Sequence, residues 1–170
     1  MCPESDRVHI YIDGSLLKDS NSAGAGVYCH LFSFYLTTGK LTTTFYGGVA
    51  AFEVGLAQLH CHLNSFTRAV GFCDSKAEIF AVSSNSTPAS SNILDCKKPL
   101  QGLSEYSKQI VLQWISGYCS VTGNELEDHL AKKGASIQQA TRKAVPFIRA
   151  KRIIKKKMKD LTSVRREKFQ

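Results

Sequence analysis

The sequence lacks any apolar run approaching the roughly 18 residues that a bilayer-crossing helix needs, which excludes a helical membrane span. No basic stretch followed by an apolar one opens the chain as a secretory leader would, and none of the six cysteines stands in a Cys-x-x-Cys pair. The expectation is therefore a reduced, intracellular protein of cytoplasm or nucleus, not a secreted one. Cys29, Cys61 and Cys73 have apolar neighbours and are expected to pack as small core residues, not to bind zinc. No internal repeat is visible. Acidic residues are scarce at one end: residues 141–170 hold 2 of them against 12 Lys and Arg, whereas residues 1–140 hold 12 acidic and 10 basic residues.

What is present suits one globular domain with a tail. The 170 residues are 43% hydrophobic and 21% charged, enough to build one core and too few for two ordinary enzyme domains. The division expected is a domain over 1–140 and a basic amphipathic tail over 141–170. A nearly neutral body with a basic extension points to a polyanion, nucleic acid before an anionic membrane surface, with a merely solubilising tail as the alternative. Past Pro146, residues Phe147, Ala150, Ile154, Met158 and Leu161 recur at helical spacing among Lys and Arg. Such a helix has three roles open to it: docking on the domain with its cations toward nucleic acid, lying on a membrane, or pairing with a partner helix.

Along the body, Val8, Ile10 and Ile12 alternate with polar residues as in a strand, which Gly14-Ser15 is expected to end. Residues 23–31 and the Thr-rich 41–46 read as two more antiparallel strands, with a turn at 37–40. Gly47-Gly48 breaks the pattern before a helix over 49–64. A short strand at 69–73 leads straight into a helix at 75–83, which together suggest a crossover onto a parallel neighbour. A Ser-rich loop over 83–92, a weak helix near 100–108, a strand at 110–115 and a helix capped by Asn124 complete the order β-β-β-α-β-α-α-β-α. The core stripe of that last helix is expected at Leu126, Leu130 and Ile137, leaving Asp128 on another face.

This map brings acidic residues toward one point. Asp13 and Asp74 fall at the ends of neighbouring strands, and Glu53 and Asp128 lie in early turns of two helices. Singly, each has an ordinary alternative as a turn former or a solvated helix residue. Clustered carboxylates repel one another and are best neutralised by a hard cation such as Mg²⁺, and two such ions suit phosphodiester hydrolysis.

Four strings, YIDGS at 11–15, FEVGLA at 52–57, FCDSKAEI at 72–79 and LQWISGYCSVTGNELEDHLAKKGA at 112–135, resemble in order and spacing the motifs of type 1 ribonuclease H. The flavour is that of the domain found in arthropod non-LTR retrotransposon polyproteins. The resemblance implies an α/β ribonuclease H-like fold, a five-stranded mixed sheet flanked by helices. It also implies endonucleolytic cleavage of the RNA strand of RNA/DNA hybrids, with Asp13, Glu53, Asp74 and Asp128 as catalytic, metal-binding acids for two Mg²⁺ ions, or Mn²⁺. Gly14, Ser15, Asn21 and Tyr118 would lie near the hybrid, and a monomer with no small-molecule cofactor is expected.

Two departures matter. The family's Pro-Gly-His loop is Ser116-Gly117-Tyr118 here, so a histidine associated with proton handling is replaced by a phenol, a far weaker acid. His60, His62 and His129 do not replace it. Glu127 adds a charge beside Asp128 and is expected to point outward. A fragment of a mobile element, or a coding sequence derived from one, fits these features. The alternative function is a nucleic-acid-binding module with weak or no catalysis. Gly39-Lys40 is no phosphate loop, because the preceding glycines and the following Ser or Thr are missing.

Overall fold

Val8, Ile10 and Ile12, each 1% exposed, line one face of the first strand and set the sheet's buried side. The computed structural model describes residues 6–40, 42–84, 91–117 and 122–137. The expected boundary at 140, the basic helix beyond it and Tyr118 lie outside them. Strand β1 spans Arg7–Leu17, β2 Ser22–Cys29 and β3 Phe32–Lys40, all antiparallel. β1 thus runs past Gly14-Ser15, where the sequence suggested its end, because its pairing with β2 continues to Leu17 opposite Ser22. The turn comes at Asn21, which takes a left-handed φ of 50° and donates its N–H to Lys18 O at 3.3 Å. The third strand also lies earlier than 41–46.

Thr43 caps helix α1, Thr44–Cys61, its hydroxyl accepting from Tyr46 N at 3.4 Å. Gly47 and Gly48 therefore sit inside the helix, not before it, and what they provide is closeness. A Cβ on Gly14 would strike the backbone of Thr44, Gly47 and Gly48, so helix and strand meet backbone to backbone. Further along α1, Phe52, Leu56 and Leu59 are buried to 1% exposure or less in the core with the β1 valine and isoleucines.

Strand β4, Arg68–Cys73, pairs parallel with β1, and β5, Gln109–Trp114, pairs parallel with β4, giving the order β3-β2-β1-β4-β5. Helix α2, Lys76–Ser83, follows β4 at once, capped by Ser75. Helix α3, Ser91–Glu105, is longer than the stretch read at 100–108 and contains Pro99. Helix α4, Thr122–Ser136, packs on β1, β2 and β3. The side chains of Ile10 and Ile12 face α1 while that of Tyr11 faces α4, so helices cover both faces of the mixed sheet. Among the described residues, no helix is long and apolar enough to cross a membrane.

Two packing expectations are corrected. The buried face of α4 is Gly123, Asn124, Glu127, Ala131, Gly134 and Ala135, while Leu126 and Ile137 are 38% and 40% exposed. β2 approaches so closely at Gly24 and Gly26 that a Cβ there would meet α4 backbone, which leaves room only for a small-residue face. Cys29 and Cys73 are buried as expected and Cys61 is exposed.

Candidate active site

The last β1–β4 pair is Tyr11 with Phe72, so Asp13 and Asp74 each follow it by two residues and emerge at the same end of the sheet. Trp114 holds the end of β4, donating its indole N–H to Asp74 O at 2.8 Å. The cleft beyond these strand ends has a volume of about 620 Å³. Asp13 from β1, Asp74 after β4, Glu78 from α2 and Glu125, Glu127 and Asp128 from α4 line it, with Gly14, Ser15 and Gly117 beside them. Lys132 stands at its rim, paired with Asp128 at 2.5 Å one helical turn away.

These carboxylates have unequal surroundings. Burial first, then Asp74, pushes the Asp13 carboxyl up to about 7, against a lowering contribution from the Gly14 N–H. Glu78 is 3% exposed, and burial followed by the charges of Asp13 and Asp74 raises it to about 8; the Cys73 thiol, which donates to its Oε2 at 3.4 Å, works the other way. Glu127 is also 3% exposed, and burial followed by Asp13, Asp128 and Asp74 raises it to about 9. Its Oε2 is buried with no hydrogen-bond partner. An unpartnered buried carboxylate oxygen is costly, and here it lines a cleft with five other acids.

Of the four acids expected from sequence, the structure brings Asp13, Asp74 and Asp128 together and leaves Glu53 out. Glu53 lies near Cys96 of α3, whose thiol donates to Val49 O at 3.1 Å and is raised to about 12 by burial and then by the Glu53 charge. The reason is angular. Position 53 is about 140° around the helix from position 48, and Gly48 faces the acids. Glu127 is corrected too: it points into the cleft, because the small-residue face that packs on β2 includes it. Gly14 and Ser15 line the cleft as expected, whereas Asn21 sits in the β1–β2 turn and is not among the lining residues. His62 Nδ1 lies 2.8 Å from Gln58 O and His60 packs edge-on against Tyr106, both away from the acids.

Sequence reasoning missed Glu78 and Glu127 as members of this cluster. The only local signal for Glu78, Ser75-x-x-Glu78 opening a helix, reads as a capping box. The donor set, all carboxylate oxygen with one buried atom unpartnered, fits a hard divalent cation in its chemistry. Among the described residues, no three acidic, His or Cys side chains already converge to hold one ion.

No protein-family model and no curated protein matches this chain. Among solved structures it is similar to an RNase H1 from the halophilic archaeon Halobacterium salinarum, at TM-score 0.58 and 16% identity, covering 75% of this chain and 96% of that one. It is also similar to an N-terminal RNase H domain from Mycobacterium tuberculosis, at TM-score 0.61 and 20% identity, covering 77% and 94%. The chain has the ribonuclease H-like fold.

Proposed function

We propose that this protein is a metal-dependent endonuclease of the ribonuclease H type 1 class, hydrolysing the RNA strand of RNA/DNA hybrids. The observation that carries the reading is the meeting of Asp13, Asp74 and Asp128, from three elements far apart in sequence, in one acidic cleft of a ribonuclease H-like fold. Asp13 and Asp74 would hold divalent cations, Mg²⁺ or Mn²⁺, just past the end of the β1–β4 pairing, with Asp128 at the half-exposed mouth. When bound, such ions supply water activation and stabilisation of the leaving oxygen.

The chain's own residues do the rest. Gly14 and Ser15 line the β1 side of the cleft, where a sugar-phosphate strand would pass. Gly117 lies over Asp74, and a Cβ there would be 3.1 Å from Asp74 Oδ2, so the loop after β5 helps set that carboxylate's position. Recognition would rest on 2′-hydroxyls and minor-groove shape, with little base preference. The basic segment 141–170 would add phosphate contacts. Descent from a retrotransposon polyprotein is part of this proposal and rests on the string resemblance.

The displacement of Glu53 favours a second reading, a module that binds nucleic acid and cleaves slowly or not at all. Cleavage of an end-labelled RNA/DNA hybrid with Mg²⁺ or Mn²⁺, beside single-stranded RNA, duplex DNA and the Asp13→Asn variant, decides between them. Metal-dependent cleavage confined to the hybrid and lost in Asp13→Asn supports the enzyme. Salt-sensitive binding without cleavage supports the module, and cleavage unchanged in Asp13→Asn refutes the site.

A further inference from the structure

The face of α1 that looks toward the acids carries no carboxylate of its own; it carries Gly48. The three nearest atoms that a Cβ at position 48 would meet all belong to Glu78: its carboxyl carbon and both oxygens. The carboxylate of α2 is therefore laid against the α1 backbone in the space a side chain from α1 would fill. Among the described residues no cation pairs with it, and the side chains that donate to its carboxylate, the Cys73 thiol and Ser75, are both neutral. It nonetheless shares the cleft with Asp13 and Asp74 and is 3% exposed. From α4, Glu127 presents a second buried carboxylate, with Oε2 unpartnered, to the same cleft. Lys132 at the rim pairs with Asp128, so the buried Glu78 and Glu127 leave the cleft with an excess of negative charge that a bound cation would offset.

We propose that Glu78 supplies the fourth carboxylate of the cation-binding cleft, in the role sequence assigned to Glu53, and that Gly48 is the notch that admits it. The ligands then come from β1, the residue just after β4, α2 and α4, and none from α1. This inference rests on the cation-binding reading above and goes beyond it by naming a ligand. The neighbouring Ser75 cap gives the assignment a structural basis, since it fixes the first turn of α2 immediately after Asp74.

The test is calorimetric titration of the full chain with MnCl₂, comparing the parent with Glu78→Gln, Gly48→Ala and Glu53→Gln, each checked for folding by circular dichroism. Glu78→Gln keeps the side chain's shape and removes its charge, and is expected to weaken Mn²⁺ binding by roughly tenfold or more. Gly48→Ala pushes the carboxylate away without deleting it and should weaken binding in the same direction. Glu53→Gln should match the parent. Parent-like affinity in Glu78→Gln overturns this assignment alone, as does a tenfold loss in Glu53→Gln. Should Glu78→Gln fail to fold, parent-like affinity in Gly48→Ala overturns it instead. Absence of saturable Mn²⁺ binding in the parent overturns the cation reading of the cleft and this assignment with it.

Discussion

Replacing Glu127 by Gln should stabilise the metal-free protein, and by more at mildly alkaline than at acidic pH. The Glu127 carboxyl has an ordinary value of 4.5 and is raised to about 9 in the folded chain. Below 4.5 both states hold the proton and the group contributes nothing. As pH rises toward 9 the unfolded chain releases that proton while the folded one keeps it, so stability falls throughout this window. Between about pH 5 and about pH 7.5, roughly 2.5 units at about 1.4 kcal/mol each amount to about 3 kcal/mol. Halved for entry of water and movement of the side chain, about 1.5 kcal/mol remains. Gln does not titrate and has nearly the same shape, so the variant should escape this loss. Urea unfolding in EDTA at the two pH values, parent beside variant, measures it. An advantage for Glu127→Gln that is equal at both refutes the claim that the buried, unpartnered carboxylate burdens the fold.

A divalent cation should raise the melting temperature of the parent. The shift should be larger near pH 8 than near pH 6, because Asp13 at about 7 and Glu78 at about 8 must give up protons to bind it; an equal or reversed shift, read by differential scanning fluorimetry, contradicts this. Gly26→Val should destabilise by ~2–3 kcal/mol or prevent folding, since even a Cβ there meets the backbone of Glu127 and Ala131; chemical denaturation with an unchanged midpoint would show that α4 does not pack so closely on β2. Removal of residues 141–170, with their 12 basic and 2 acidic residues, should weaken hybrid binding and flatten its dependence on salt, as read by fluorescence anisotropy across a salt series, while leaving cleavage in place.

The order of elements was legible because it is written in local periodicity: alternation in Val8–Ile12, helical recurrence through Phe52, Leu56 and Leu59, and the short apolar strands at 68–73 and 109–114. Although the Thr-rich 41–46, read as the third strand, leads into α1, and 37–40, read as a turn, belongs to β3, the first two antiparallel strands and the parallel crossover follow from such patterns. So does the pairing of Asp13 with Asp74, since both lie two residues beyond paired positions on neighbouring strands. Helix faces were not legible in the same way. Leu126, Leu130 and Ile137 look like a core stripe, yet the glycines of β2 bring the sheet so near that α4 must turn its Gly and Ala residues inward, carrying Glu127 with them. For the same reason Gly47-Gly48, which reads as a break, lies within a helix seated against Gly14. Sequence by itself determined which kinds of element form and which two neighbouring strands carry acids just beyond their shared pairing, because those depend on neighbours along the chain. Only the tertiary structure decided which carboxylates share the cleft, because that depends on how closely helix and sheet backbones approach, and Gly48 and Glu78 meet across 30 residues of chain.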